Sequence, residues 1–140
     1  MKLISLLSPY LLALILTLII EGVLCFLIKK SKDWLKFACL VNLFTNPLLN
    51  ALYTTLSDVF IKFEIVVYIP LLLIFLELLV WLSEAWLFYR FALTQDKEQK
   101  PVPSIYKYLA FSFVLNAVSF VVGSLLLLLL IIFIQGGFSL

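Results

Sequence analysis

Long apolar stretches, separated by short polar segments, run through the whole sequence. The apolar stretches occupy residues 3–28, 35–56, 65–93 and 105–134. A helix needs about 20 mostly apolar residues to cross the hydrocarbon core of a bilayer, and each stretch meets that length. The pattern therefore predicts an all-α integral membrane protein. We expect residues 1–140 to form a single transmembrane domain, a four-helix bundle made of two helical hairpins.

The composition supports lipid as the solvent for most of the surface. Hydrophobic residues make up 65% of the chain and charged residues 13%, whereas soluble domains average roughly 45–50% and about 25%. No basic run with interleaved aromatic residues is present, so the sequence predicts no nucleic-acid partner. The first apolar stretch is longer than the roughly 7–15 residues of a signal-peptide core, and we interpret it as a retained span.

Lysine and arginine cluster near two of the three connecting segments. The first cluster consists of Lys29, Lys30, Lys32 and Lys36. The other consists of Arg90, Lys97, Lys100 and Lys107. The middle segment holds only Lys62, and the amino terminus only Lys2. Because short cytoplasmic loops are enriched in these residues, we expect loops one and three in the cytoplasm and both termini outside.

Three glutamates lie inside the apolar stretches, at Glu21, Glu77 and Glu84. A charged side chain at the bilayer centre costs at least ~2.5 kcal/mol on insertion scales, so each needs an explanation. The two on the third span are seven residues apart and share a helix face. Each acid could be protonated, since desolvation disfavours the charged form, ionised around a cation, or hydrogen-bonded as helix-to-helix glue. These alternatives stay open at this point.

Amide and hydroxyl side chains form stripes on two other spans. On the second span, Asn42, Asn46 and Asn50 recur every four residues, which predicts either cavity lining or hydrogen bonds that pin helices together. On the fourth span, Asn116 joins a small or polar face whose other members favour close helix packing. Those members are Ser112, Ser119 and Gly123.

The order of these features suggests an internal repeat. A Glu-bearing helix, a basic loop and an Asn-bearing helix occur twice, so Glu21 corresponds to Glu84 and Asn46 to Asn116. Two hairpins inserted in the same direction would be related by an axis along the membrane normal. We keep this parallel repeat as a prediction about the fold.

Several stretches resemble a group of small four-span bacterial membrane proteins to which no function is attached. The specific part is the pattern N-L-x-T-N-P-x-x-N, which runs from Asn42 to Asn50. Glu77, Glu84-Ala85, Tyr89-Arg90 and the stretch from Asn116 to Phe120 extend the likeness. The resemblance implies a protein of the bacterial cytoplasmic (inner) membrane. The glutamate of the first span is also similar to that of small multidrug resistance transporters, but the charge bias argues against their dual topology.

Enzyme signatures are scarce. The chain has no His, which removes the usual general base and the commonest metal ligand, and it carries no phosphate-binding loop or hydrolase motif. The leading hypothesis is a carrier or channel component for a cation or protons. Its site residues would be Glu21, Glu77, Glu84, Asn42, Asn46, Asn50 and Asn116.

Two alternatives remain beside this hypothesis. One is a non-catalytic subunit or scaffold of a larger membrane complex, in which the polar stripes would face partners; a homo-oligomer belongs instead to the leading hypothesis, because four helices form only a thin wall around an aqueous path. The other is a carboxylate-metal enzyme of the membrane, because carboxylate and amide oxygens suit hard cations. The sequence leaves the cofactor, and any metal ligands, unknown.

Overall fold

The computed structural model describes residues 2–95 and 104–136 of the chain. These residues form four long helices and one short 3₁₀ turn, with no strand among them. The bounds are α1 (Lys2–Lys29), α2 (Lys32–Lys62), the 3₁₀ turn Val66–Tyr68, α3 (Ile69–Gln95) and α4 (Ile105–Gly136). All four helices are long and apolar enough to cross a membrane. The predicted all-α membrane fold is confirmed.

The turn between α1 and α2 is only two residues long. Lys30 adopts a positive φ of 51°, and its N–H donates to the carbonyl of Phe26 at 2.7 Å, which is the left-handed arrangement that closes many helix ends. The carbonyl of Ser31 then accepts from the N–H of Leu35 at 3.1 Å and starts α2. The basic segment of the first loop is therefore a tight reversal rather than an extended loop.

The end of α2 lies further along the chain than the apolar pattern suggests. The helix continues through residues 57–62, which the sequence analysis leaves outside the second span. Glu64 has a φ of 59°, and the N–H groups of Ile65 and Glu64 donate to the carbonyls of Phe60 and Ile61 at 2.9 and 3.1 Å. This is a Schellman motif with Glu in the position that Gly usually takes.

The third connecting segment lies partly outside the described residues. It includes Lys97 and Lys100, two of the four basic residues that the orientation argument assigns to loop three. The chain divides into two compact units, one formed by Met1–Cys39 with Val114–Leu140 and the other by Leu40–Phe113. Both α2 and α4 therefore contribute to each unit.

In the first unit, α1 packs against the beginning of α2. Gly22 is buried, and a Cβ atom added to it would lie 3.0 Å from both Cys39 Sγ and Leu35 Cδ1. The buried Cys25 thiol donates to the backbone carbonyl of Trp34 at 3.4 Å. The Lys29 ammonium lies 4.4 Å from the centroid of the Trp34 ring. The absence of a side chain at position 22 lets the two helices approach closely, which builds the first predicted hairpin.

In the second unit, aromatic side chains fix α3 against the start of α4. The indole N–H of Trp81 donates to the carbonyl of Leu109 at 2.9 Å. The rings of Phe88 and Phe111 meet edge to face, with centroids 5.2 Å apart. The ring centroids of Trp81 and Phe113 are 5.8 Å apart, and those of Tyr89 and Tyr108 are 6.1 Å apart. The later residue of α3 thus packs against the earlier residue of α4, so the two helices run antiparallel as the second predicted hairpin.

Candidate functional site

Glu84 lies at the centre of the second unit and is completely buried. Its Oε1 accepts a hydrogen bond from the Thr45 hydroxyl of α2 at 2.8 Å. Its Oε2 accepts one from the Ser112 hydroxyl of α4 at 3.2 Å. Hydroxyl groups on two different helices thus hold the two oxygens of a single carboxyl group that water does not reach.

Each of these hydroxyl groups also lies near a backbone carbonyl. Thr45 Oγ1 is 3.1 Å from the carbonyl oxygen of Val41, and Ser112 Oγ is 3.4 Å from that of Trp81. A hydroxyl has one hydrogen to donate but two lone pairs that accept. Each hydroxyl therefore has a choice between a carbonyl, which only accepts, and a carboxyl oxygen, which accepts or donates according to its protonation.

The position of Glu84 follows from the residues around it on α3. Trp81 and Phe88 are three residues before it and four after it, so all three side chains lie on neighbouring parts of one helix face. Both aromatic residues contact the start of α4. Ala85 is also fully buried, and its small side chain leaves room for close packing. The local sequence therefore directs the carboxyl group inward.

The asparagines of α2 form a ladder along their own helix. The Asn46 amide nitrogen lies 2.9 Å from Asn42 Oδ1 and 3.3 Å from the Asn42 carbonyl. The Asn50 amide donates to the Asn46 carbonyl at 3.0 Å, and the Thr54 hydroxyl donates to the Asn50 carbonyl at 2.8 Å. The side-chain amides of Asn46 and Asn50 thus each donate within α2, which leaves their side-chain oxygens as acceptors.

The burial of the ladder decreases along α2. Asn42 is completely buried, whereas Asn46 and Asn50 are half-buried and Thr54 is exposed. This gradient gives the ladder one end beside the buried part of the second unit and one end at its surface. The ladder is compatible with both interpretations of the stripe, cavity lining and structural glue.

Glu21 is the buried acid of the first unit, with only 1% of its surface exposed. Its Oε1 accepts a hydrogen bond from the Ser119 hydroxyl of α4 at 2.5 Å. Ser119 Oγ is also 3.0 Å from the carbonyl oxygen of Asn116, and the Asn116 side chain is half-buried. The first unit therefore repeats the arrangement of the second, a buried carboxyl beside a hydroxyl that has a carbonyl as its other acceptor.

Glu77 differs from the other two acids because its side chain is exposed. In this half of α3 the more buried residues are Leu72, Leu76 and Val80, a stripe about 100° around the helix from Glu77. Among the described residues, the Glu77 carboxyl has no hydrogen-bond or ion-pair partner. The shared face that the spacing predicts for Glu77 and Glu84 does not give the two acids the same environment.

The structure adds three hydroxyl groups to the predicted residues. Ser112 and Ser119, for which the sequence favours a packing role, both donate to buried glutamates. Thr45 stands within the pattern from Asn42 to Asn50 but outside its four-residue stripe. Gly123, by contrast, has no described atom within 4 Å of the place where a Cβ would lie, so the described residues show no close packing at this position.

A cluster of metal-binding side chains is not found in the described part of the chain. No three His, Cys, Asp or Glu residues lie there in an arrangement that would hold a metal ion. Comparisons with known protein families, curated proteins and solved structures find no match to this chain. Any assignment of function therefore depends on the chemistry of the buried carboxyl groups.

Proposed function

We propose that the chain is a small membrane carrier or channel component that moves protons or another cation, with Glu84 and Glu21 as the groups that bind the charge. The observation that carries the proposal is the complete burial of two carboxyl groups in membrane-length helices, each bonded to a hydroxyl of another helix. Ionisable residues inside membrane spans mark ion and proton pathways by default.

The hydroxyl bonds support this proposal over a purely structural role. Helix-to-helix bonds between neutral groups in a membrane contribute about 0.6 kcal/mol on average, which glutamine would supply as well as glutamate. A carboxyl group adds the ability to change charge, and burial makes that change expensive unless donors compensate it. The donors beside Glu84 and Glu21 provide such compensation.

The asparagine ladder of α2 extends the proposal from a binding site to a path. The half-buried Asn46 and Asn50 carry acceptor oxygens between the buried Asn42 and the exposed Thr54, and amide oxygens are ligands for hard cations and acceptors for hydronium. We assign to Asn42, Asn46 and Asn50 the role of leading the charge toward Glu84. We assign to Asn116 a supporting role beside Ser119.

The proposed location is the bacterial inner membrane, with loops one and three in the cytoplasm and both termini outside. The tight basic turn around Lys30 and the exposed Arg90 at the end of α3 support this orientation. Arg90 lies 5.8 Å from the ring of Trp86, a pairing typical of the membrane interface. The proposed orientation is tested by the accessibility of single cysteines, placed in the loops and termini, to a membrane-impermeant thiol reagent in intact cells.

Flux measurements in proteoliposomes test the transport proposal. The variants E84Q and E21Q replace each carboxyl by an amide of similar shape, and E64Q serves as the matched control because Glu64 is exposed in the turn after α2. We expect wild-type protein and E64Q to dissipate an imposed proton or cation gradient and both buried-site variants to lose at least tenfold in rate. Equal rates in all four proteins, or no flux above empty vesicles, would contradict the proposal.

Glu77 favours a second candidate function, that of a subunit in a homo-oligomer or a larger membrane complex. An exposed carboxyl within a membrane span is costly unless it finds a polar partner, and no described residue provides one. Cross-linking of E77C tests this candidate in a chain whose Cys25 and Cys39 are replaced by serine. L79C is the control because it points to the opposite side of α3 and is also exposed. Adducts at both positions, or at neither, would count against a specific partner at Glu77.

A further inference from the structure

We infer that the cation bound at Glu84 is the proton, and that the Thr45 hydroxyl exchanges one acceptor for another when the proton binds. The inference rests on the proposed function and names its substrate. It follows from the two hydroxyl groups that contact Glu84 and from the carbonyl groups that each of them also reaches.

The ionised state uses both hydroxyl hydrogens for the carboxylate. A carboxylate only accepts, so Thr45 donates to Oε1 at 2.8 Å and Ser112 donates to Oε2 at 3.2 Å. The carbonyls of Val41 and Trp81 then keep only the bonds of their own helices. A carbonyl oxygen has two lone pairs and tolerates the loss of one donor, so no buried group is left without a partner.

In the protonated state, every one of these groups still has a hydrogen-bond partner once the Thr45 hydroxyl hydrogen has turned. A proton that arrives forms an O–H bond with Oε1 and neutralises the carboxylate. This O–H now donates to Thr45 Oγ1, and the Thr45 hydrogen turns to the carbonyl oxygen of Val41, 3.1 Å away. Ser112 continues to donate to Oε2, which has become the carbonyl oxygen of the acid. The hydroxyl rotates without breaking its O–H bond, and the one added proton accounts for the change in charge.

The distances favour the proton on the Thr45 side. Thr45 is 2.8 Å from Glu84 and 3.1 Å from Val41, whereas Ser112 is 3.2 Å from Glu84 and 3.4 Å from Trp81. Hydroxyl hydrogen bonds are shortest and strongest at about 2.7–2.8 Å. Oε1 of Glu84, which is linked through Thr45 to the carbonyl of Val41, is therefore the better acceptor for the added proton.

The contacts at Glu84 are those of a hydrogen-bonded carboxyl group rather than those of a divalent-cation site. Calcium takes about six to eight oxygen ligands at roughly 2.3–2.6 Å, and magnesium takes six at about 2.0–2.1 Å. The Thr45 hydroxyl donates to the Glu84 carboxyl group at 2.8 Å, which is ordinary hydrogen-bond geometry. In addition, no three acidic, cysteine or histidine residues cluster in the described part of the chain.

The titratable neighbours of Glu84 in its unit are few. The part of α2 from Leu40 to Leu52 contains no titratable residue. On α4 the nearest is Tyr108, one helical turn before Ser112, and it packs against Tyr89 of α3 with ring centroids 6.1 Å apart. Glu77 lies two turns away on the same helix and is exposed. Lys107 and Arg90 are also exposed.

The first unit contains an independent instance of the arrangement. Ser119 Oγ is 2.5 Å from Glu21 Oε1 and 3.0 Å from the carbonyl oxygen of Asn116. Protonation of Glu21 on Oε1 would turn the Ser119 hydrogen toward Asn116 in the same way. Both buried acids of the described residues thus lie beside a hydroxyl with a second acceptor, and the exposed Glu77 does not.

Infrared difference spectroscopy tests the inference without any measurement of transport. The protein in lipid nanodiscs is titrated from alkaline to acidic buffer, and the C=O stretch of protonated carboxyl groups is followed. We expect one such band to be absent in E84Q. We expect S112A to move that band to higher frequency, since the acid carbonyl loses its donor. T45S should preserve the band and T45V should change it, because serine retains the hydroxyl and valine only the shape.

Exchange of sodium for potassium or choline in the buffer is the cation arm of the experiment. We expect the Glu84 band to be unaffected by the exchange. Loss of the band in the presence of one metal cation, or spectra of E84Q, S112A and T45V that all match wild type, would overturn the inference. If E84Q does not fold, as judged by size-exclusion chromatography, S112A and the cation exchange decide the question.

The outcomes separate this inference from the proposed function. A Glu84 band with the expected behaviour and no flux in proteoliposomes would contradict transport and leave proton binding standing. Cation flux that depends on Glu84, together with a cation-sensitive band, would support transport and refute the proton as the bound species.

Discussion

A close approach of α2 to α1 occurs at Gly22, and it yields a specific prediction about stability. A Cβ atom at this position would lie 3.0 Å from Cys39 Sγ on one side and from Leu35 Cδ1 on the other. We predict that Gly22→Ala destabilises the protein. Gly123→Ala is the matched control, since a Cβ at Gly123 meets nothing within 4 Å.

The magnitude follows from two opposing terms. Alanine is favoured over glycine in a helix interior by up to about 1 kcal/mol, and both variants gain this term. Overpacking of a filled site typically costs about 1–3 kcal/mol, and only G22A incurs it. The Leu35 methyl group is the end of a flexible side chain and can move, whereas Cys39 Sγ is one bond from its Cβ and also contacts the carbonyl of Leu18 at 3.9 Å. We therefore expect G22A to be about 1–2 kcal/mol less stable than G123A.

The assay is equilibrium unfolding in mixed detergent micelles, with helix content and tryptophan fluorescence as probes. The double variant with Cys39→Ala provides a further check, because removal of the sulfur atom should restore part of the loss in G22A. Equal stability of G22A and G123A would refute the reasoning. So would a loss in G22A that Cys39→Ala does not reduce, since the contact with the sulfur would then not be its cause.

Three further predictions concern the same unfolding measurement. Lys30→Gly should stabilise the protein by about 1 kcal/mol, because a left-handed residue with a side chain is strained by roughly that amount; an unchanged midpoint would contradict this. Ser57→Ala should leave the free energy of unfolding unchanged or raise it, since the buried Ser57 hydroxyl lacks a partner in the described residues. Ser119→Ala should lower it by about 1 kcal/mol, because the hydrogen bond to Glu21 is lost. Trp81→Phe should also lose about 1 kcal/mol, because it removes the N–H bond to Leu109, and a wild-type midpoint would show that this bond contributes nothing.

The hydropathy pattern predicts the four helices because lipid offers no hydrogen-bond partners to the backbone. A span cannot expose unpaired backbone groups to hydrocarbon, so an apolar stretch of sufficient length must be helical. The ends of the helices are less readable. The backbone bonds of Phe60 and Ile61 close α2 beyond its apolar part, and Glu64 adopts a left-handed conformation that favours glycine. Neither feature has a signature in the residue types.

The burial of Glu21 and Glu84 agrees with the polar pattern, while the exposure of Glu77 is beyond it. A seven-residue spacing places Glu77 and Glu84 on one face, but it does not say which face each part of the helix buries. Near Glu84 the buried side of α3 includes Ala85 and Phe88, and near Glu77 it has moved to Leu76. Only the packing of neighbouring helices determines that change.

The hydroxyl partners were the least predictable part of the site. Serine and threonine in membrane helices commonly donate to a carbonyl of their own helix, as Thr54 and Thr55 do here. Thr45 has the same local bond and a carboxyl oxygen as well. The sequence predicts the bond to a carbonyl of the same helix in every case. It never predicts the bond to a carboxyl oxygen, because that bond depends on a residue of another helix.

The three intramembrane glutamates are chemically identical but differ in the hydrogen-bond donors around them. Glu84 has hydroxyl donors on both carboxyl oxygens, and Glu21 has one on Oε1, so the proposed change of charge would take place beside a donor in both cases. Glu77 has no such donor among the described residues, and a change of its charge would meet no local compensation. A group that cycles between charge states needs partners that adapt within its own site. Under the proposed function, the two buried acids are therefore the groups that change charge, and the carboxyl of Glu77 would instead bind a partner outside the chain.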